Sequence, residues 1–188
     1  MSNYRRVRVP GGTYFFTVNL LERRRRLLVD HVDELRLAFQ DAKRARPFEI
    51  IAIVILPDHL HCIWTLPEGD TDNTNRWSQI KTGFSKRTSA NERISKSRCK
   101  RRERGIWQRR FLEHVISDDN DLANHINYVY INPLKHGYVA RVCDWPYSSF
   151  HRDVKLGNYP ENWSGKYGAF LTHQLLEGGF SKKVVRFI

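Results

Sequence analysis

The stretch from Phe48 to Leu66 constrains the fold of this chain more than any other. Phe48 to Leu56 is almost continuously apolar, which is typical of a strand in the middle of a sheet. Pro57-Asp58 is a turn signal, and His59 to Leu66 is a second apolar segment of strand length. The two segments therefore predict a pair of adjacent antiparallel strands.

The other segments predict the elements that surround this pair. Two further strands are predicted at Thr13 to Leu20 and Phe111 to Ile116. Helices are predicted at Val32 to Arg44, Trp77 to Ala90 and Asp118 to Ile131, the last ending at Asn132-Pro133. The basic segment from Asn91 to Gly105 is expected to be a loop.

The resulting order, β-α-β-β-α-β-α, is close to the split βαβ or ferredoxin-like plan. We therefore predict an α+β fold with an antiparallel sheet, helices packed on one side and the other sheet face open to nucleic acid. A length of 188 residues favours one domain. We expect a catalytic domain at residues 1–146 and a C-terminal tail, residues 147–188, packed on it.

The charge of the chain indicates a polyanionic partner. There are 32 Lys and Arg against 20 Asp and Glu, a net charge of +12, and Arg supplies 22 of the cations. The cations cluster, since nine of the 18 residues from Arg93 to Arg110 are Lys or Arg. Such clustering favours nucleic acid over a merely soluble basic surface.

Cysteine usage and hydropathy indicate the compartment. Cys62, Cys99 and Cys143 are too few and too scattered for a disulfide framework, and they fit a reducing compartment. The N-terminal sequence lacks the apolar segment of a signal peptide, and no stretch reaches 18 apolar residues. We expect a cytoplasmic, nucleoid-associated protein without a membrane partner.

Two short patterns carry candidate chemistry. His59 and His61 are two residues apart on a strand, which puts both imidazoles on one face. They could bind a divalent metal with a third protein ligand, or they could be two surface histidines at a strand end. Tyr128 and Asn132 are four apart on a helix and share a face, where Tyr128 could be a nucleophile or a structural residue. Tyr130 points elsewhere and is expected to be structural.

Together, these patterns resemble a known family. Ile55 to His61 (ILPDHLH) and Tyr128 to Gly137 (YVYINPLKHG) are similar to the motifs of the REP-associated tyrosine transposases, relatives of the single-tyrosine HUH transposases of insertion sequences. The resemblance extends to Arg76–Lys81, Gly105–Phe111 and Asp144–His151, and it spans roughly residues 5 to 165.

The resemblance implies a ferredoxin-like HUH nuclease fold and a reaction. His59 and His61 match the two metal-binding histidines, Tyr128 matches the nucleophile, and Asn132 stands where relatives carry a metal-binding Gln. The implied substrate is a single-stranded DNA hairpin from REP-type repeats, cleaved and transferred through a 5′-phosphotyrosine. His114 and His136 lie near the motifs, and we expect neither to be a ligand.

The chemistry of the substrate and the sequence indicate the cofactor and partners. Phosphate oxygens favour Mg²⁺ or Mn²⁺ as the metal. No Walker motif occurs, so no nucleotide cofactor is expected. A monomer and a homodimer both remain open.

Basic and aromatic residues are the candidates for DNA contacts. They are Arg23, Arg24, Arg25, Arg26, Lys81, Arg101, Arg102, Arg104, Trp107, Arg109, Arg110 and Lys135. The alternative is a non-catalytic single-stranded nucleic-acid-binding module on the same fold, which would use the sheet and the basic loop alone.

Overall fold

The structure, a computed structural model, describes residues 7–89 and 92–165. The main elements follow the predicted order, and short helices are added to them. In chain order they are β1 (Thr13–Asn19), α1 (Leu27–Asp30), α2 (Val32–Ala45), β2 (Glu49–Ile55), β3 (His59–Thr65), α3 (Asn73–Arg87), α4 (Lys96–Lys100), β4 (Leu112–Val115), α5 (Asp119–Lys135), a 3₁₀ turn (Val142–Asp144) and α6 (Phe150–Lys155).

The four strands form one antiparallel sheet in the order β2-β3-β1-β4. This is the strand order of the split βαβ plan, so the predicted α+β, ferredoxin-like fold is confirmed. The register places His59 opposite Asn19 and His61 opposite Thr17. Both histidines therefore lie at the end of the sheet where β1 ends and β3 begins.

Helices cover both faces of the sheet, contrary to the expectation of one open face. Phe16 contacts Trp77 of α3, with ring centroids 5.3 Å apart. Its neighbour Phe15 points to the opposite face and meets Tyr128 of α5 at 5.8 Å. The buried side chains of α5 include Ile126 and Val129, and this apolar stripe needs a surface to pack on. The second face is therefore a contact surface for α5.

Helix α5 passes through Pro133 and ends two residues later, so the prediction that it stops at Asn132-Pro133 is wrong. Proline removes only its own N–H, and the next turn is re-formed by a hydrogen bond from the His136 N–H to the Asn132 carbonyl, 3.0 Å. Gly137, at φ +70°, then ends the helix. The extra turn keeps Lys135 beside the site described below.

Residues 147–165 contribute side chains to the hydrophobic core. The Ile55 N–H donates to the Tyr147 carbonyl and the Ser149 N–H to the Ile53 carbonyl, both at 2.9 Å, so this segment covers the outer edge of β2. Phe150 is fully buried. Residues 166–188 of the expected tail lie outside the described residues. No helix in the described part of the chain is long and apolar enough to cross a membrane.

Candidate active site

The first two side chains of the site lie on one face of β3. His59 and His61 are almost fully buried, and their ring centroids are 5.0 Å apart. The Nδ1 atom of His59 lies 2.7 Å from Oδ1 of Asp58, and that of His61 lies 2.9 Å from the Thr17 hydroxyl. When Nδ1 of each ring donates to these oxygens, Nε2 of each ring carries the lone pair. This is the tautomer that a metal-binding histidine needs.

The surroundings keep both imidazoles neutral. Burial, reinforced by repulsion from His59 and His136, lowers the pKa of His61 to about 3. Burial also lowers the pKa of His59, against the opposing effect of Asp58. Burial disfavours ionisation of Asp58, but hydrogen bonds from His59 and Arg23 outweigh it and lower the Asp58 pKa. A carboxylate therefore orients a neutral imidazole.

Asn132 of α5 lies against His61 and is 2 % exposed. The Asn132 side chain is near enough to the His61 ring to influence its pKa, but Nε2 of His61 and Oδ1 of Asn132 are both buried and neither makes a hydrogen bond of normal geometry among the described residues. Unpartnered buried polar atoms are rare in native proteins and call for an explanation. Two lone-pair donors without partners fit a pair of metal ligands, so these residues suit a divalent ion.

Tyr128 and Tyr130 occupy opposite environments. Tyr128 is 40 % exposed, and the centroid of its ring lies 5.1 Å from that of His61, with the two rings in an edge-on arrangement. Tyr130 is fully buried, with its hydroxyl bonded to Asp153 and near Ser149. Burial and Asp153 raise the pKa of Tyr130 well above its ordinary value. Tyr128 is thus the tyrosine that an external substrate can reach.

This site stands in a chain with clear relatives. The chain is 53 % identical over 166 residues to a protein of Haemophilus influenzae named as a REP-associated tyrosine transposase, covering 88 % of this chain and 94 % of that protein. It is 50 % identical over 165 residues to the REP-associated tyrosine transposase of Escherichia coli, covering 88 % and 92 %. The chain belongs to the REP-associated tyrosine transposases.

A solved structure agrees with this assignment. A REP-associated tyrosine transposase bound to a REP hairpin matches this structure with a TM-score of 0.75 and 50 % identity, over 87 % of this chain and 91 % of that one. No protein-family model matches the chain. The resemblance inferred from the sequence motifs is therefore confirmed, and so are the tyrosine-transposase class and the fold.

The last turn of α5 brings two more cationic or titratable groups to the site of this transposase. The ammonium of Lys135 lies 5.2 Å from the centre of the Tyr128 ring. The ring of His136, which was not expected to be a ligand, lies 5.3 Å from that of His59. The sequence signal for His136 was its place in the segment Tyr128 to Gly137, but its approach to His59 depends on α5 continuing past Pro133.

Three of the predicted DNA contacts make hydrogen bonds within the protein, and their contact with DNA stays a prediction. The Arg104 guanidinium donates to the Glu92 carboxylate and to the carbonyl oxygens of Ser85, Thr88 and Ser89. The Lys81 ammonium donates to the Gln108 carbonyl at 3.0 Å. Trp107 is 6 % exposed, and its Nε1–H donates to the Lys81 carbonyl at 3.2 Å. Each of the three side chains thus uses at least one donor within the protein, and Trp107 is also buried.

The remaining predicted contacts are at the surface. Arg23, Arg24 and Arg26 are exposed on the segment that follows β1, and Arg25 is half-buried. Exposed arginines also stand on the segment that precedes β4, namely Arg101, Arg102, Arg109 and Arg110. Pairing of Leu20 with Trp107 brings the two segments together. They adjoin the end of the sheet that carries His59, and Arg23 itself is bonded to Asp58 at 2.7 Å.

Proposed function

We propose that this transposase cleaves and rejoins single-stranded DNA beside REP-type hairpins through a 5′-phosphotyrosine on Tyr128. The observation that carries the proposal is the pair of unpartnered buried atoms, Nε2 of His61 and Oδ1 of Asn132, next to an exposed tyrosine. A module that only bound DNA would need none of this arrangement. The REP hairpin in the solved relative supports the choice of substrate.

His59, His61 and Asn132 would hold Mg²⁺ or Mn²⁺, with Asp58 and Thr17 orienting the imidazoles. The ion supplies charge stabilisation at the scissile phosphate when it is bound. Three protein ligands leave coordination positions free for phosphate oxygens. Of these two ions, Mn²⁺ is the better match for a site with two imidazoles, because Mg²⁺ prefers oxygen ligands.

Tyr128 performs the covalent step. Its hydroxyl oxygen attacks the phosphorus and loses its proton, the bond from phosphorus to the 3′ oxygen breaks, and that oxygen leaves as a protonated 3′-OH. The products are a 5′-phosphotyrosine and a free 3′ end, and the reverse reaction rejoins the strand. The Lys135 ammonium, 5.2 Å from the ring, places positive charge where the phenolate forms.

The exposed arginines described above would hold the DNA backbone. Their two segments meet at the end of the sheet that carries His59, so a phosphate chain bound there reaches the metal ligands. Such contacts give affinity that falls with salt and carries little sequence information.

The test is cleavage of a labelled REP hairpin with its flanking single strand by wild type and Tyr128→Phe, each with Mn²⁺ and with EDTA. We expect wild type to cut and to form a covalent protein–DNA band with Mn²⁺ alone. Tyr128→Phe should bind equally well and do neither. A strand with a scrambled stem controls for hairpin recognition. If neither protein cuts, the non-catalytic binding module is favoured instead. If both cut, Tyr128 is not the nucleophile, and Tyr130→Phe would test Tyr130.

A further inference from the structure

A second cluster of metal-ligand side chains lies where β4 meets α5. Nε2 of His114 is 2.9 Å from Oδ2 of Asp121. Nδ1 of His125 is 2.9 Å from Oδ1 of the same carboxylate and 2.9 Å from the backbone carbonyl oxygen of Asp121, to which it donates a hydrogen bond. One ligand atom from each of the three residues lies within 4.8 Å of the others. The cluster shares no residue with the site formed by His59, His61 and Asn132.

We propose that His114, Asp121 and His125 form a second metal site that binds a zinc-type transition-metal ion. Ligand atoms about 2.1 Å from one ion are about 3.0 Å apart at octahedral angles and about 3.4 Å apart at tetrahedral angles. The two spacings of 2.9 Å to the carboxylate are therefore within about 0.5 Å of those around a bound ion, and the ligand atoms of the two histidines lie within 4.8 Å of each other. Metal binding would replace the hydrogen bonds of both imidazoles to the carboxylate and that of His125 to the Asp121 backbone carbonyl, and it would release the Nδ1 proton of His125.

The neighbouring structure holds these side chains in place. Asp121 accepts the Ser117 N–H at 2.9 Å, which orients its carboxylate. The two imidazoles are stacked, with centroids 4.7 Å apart and planes 17° apart. The side chain of His114 is 45 % exposed, and those of His125 and Asp121 are 24 % and 19 % exposed, so an ion can enter from solvent.

The ring of Phe15 lies between the two sites. It contacts His125 at 4.8 Å and His61 at 5.6 Å. An ion at the second site is therefore separated from the reacting phosphate by an apolar ring. Its effect would be to join β4 to α5, the helix that carries Tyr128.

The ligand set selects the ion. Two imidazoles and one carboxylate suit Zn²⁺ and Co²⁺, whereas Mg²⁺ and Ca²⁺ prefer oxygen ligands. Three protein ligands leave at least one position for water. Co²⁺ is the practical probe because its visible absorption reports nitrogen ligation.

The experiment removes the first site and titrates the second in the full chain without DNA. His59→Ala/His61→Ala protein is titrated with Co²⁺ in excess Mg²⁺. We expect one equivalent of Co²⁺ to bind, to be displaced by Zn²⁺ and to raise the midpoint of thermal unfolding. Adding His114→Gln/His125→Gln should weaken binding at least tenfold, whereas adding His31→Gln, a matched substitution on another element, should not.

A second titration keeps the proposal testable if the first background does not fold. In the wild-type protein, His114→Gln/His125→Gln should lower the Co²⁺ stoichiometry from two to one, with circular dichroism unchanged. Absence of bound Co²⁺ in folded His59→Ala/His61→Ala protein would overturn the second site. So would unchanged Co²⁺ binding after His114→Gln/His125→Gln. Neither result bears on cleavage by Tyr128, because no DNA is present.

Discussion

Removing the hydroxyl of Tyr130 should destabilise the protein and leave its chemistry intact. This hydroxyl is fully buried and donates to the carboxylate of Asp153, which is itself 1 % exposed. Tyr130→Phe deletes one oxygen and leaves the ring in its contacts with Phe150 and Tyr159. The loss is therefore that of one hydrogen bond to a buried charge, without a large cavity.

The size of the effect follows from these partners. A hydrogen bond to a charged group contributes about 1.5–3 kcal/mol to stability. Asp153 keeps Arg152 as a partner, with Nε to Oδ1 at 2.8 Å, so its charge is not left uncompensated. At about 2–4 °C per kcal/mol for a protein of this size, the midpoint of thermal unfolding should fall by about 3–12 °C.

Tyr128→Phe is the matched comparison, because it removes the same oxygen two residues away. The Tyr128 side chain is 40 % exposed, so its loss should change stability by less than about 0.5 kcal/mol. We expect the two variants to differ from wild type in opposite properties. Tyr130→Phe should unfold at a lower temperature but still form the covalent DNA adduct. Tyr128→Phe should unfold at the wild-type temperature but form no adduct. Thermal unfolding followed by circular dichroism and an adduct gel measure both properties. An unchanged midpoint for Tyr130→Phe, or adduct formation by Tyr128→Phe, would refute the reasoning.

Three further predictions follow from the site and its surroundings. Asp58→Asn removes the carboxylate that orients an imidazole and should raise the Mn²⁺ concentration for half-maximal cleavage about 10–100-fold. Asp33→Asn, at an exposed position, is its control. If Asp58→Asn leaves the Mn²⁺ concentration for half-maximal cleavage unchanged, Asp58 does not support the metal. Arg104→Ala should lower the free energy of unfolding by about 1–3 kcal/mol without changing the salt dependence of DNA binding, because its donors are used internally. Arg102→Ala should leave stability unchanged and reduce the slope of log K against log salt by about 0.7–0.9, measured by fluorescence anisotropy. A lower salt slope for Arg104→Ala, or a loss of stability for Arg102→Ala, would contradict these assignments. Asn132→Ala removes a buried amide whose Oδ1 is unpartnered, and it should leave metal-free stability within about 1 kcal/mol of wild type. Mn²⁺ binding, measured by calorimetry, should fall at least tenfold. Tight Mn²⁺ binding in this variant would exclude Asn132 as a ligand.

Local sequence pattern was enough for the strands and their order. Phe48 to Leu56 has the length and composition of a buried strand whatever packs on it, and the turn at Pro57-Asp58 leaves only an antiparallel neighbour. The end of α5 was not predictable in the same way. Proline disfavours a helix locally, yet Pro133 is buried against the body and the turn after it is re-formed by His136. Tertiary packing decided this boundary.

Side-chain direction limited the prediction of the site. The spacing of His59 and His61 fixes a shared face because strand geometry has a period of two. In a run of arginines outside regular structure, spacing does not predict side-chain direction. Nothing in the sequence therefore distinguishes Arg104, which binds Glu92, from Arg102, which is exposed to solvent. The cluster around Asp121 was missed for another reason, because its members come from a strand and a helix whose approach the sequence does not encode in any short motif.

The proposed metal ligands destabilise the metal-free fold, and the rest of the structure must offset that cost. His61 and Asn132 each bury a polar atom without a partner among the described residues, and such an atom costs about 1–3 kcal/mol. Their positions are set from outside the site: Thr17 of β1 holds the His61 ring through strand register, and Asn132 is carried by a helix whose buried face packs on β2 and β3. A bound divalent ion would accept both lone pairs and remove that cost. The free energy of metal binding and that of folding are therefore linked, and the substitutions that most weaken the metal site need not be those that most destabilise the protein.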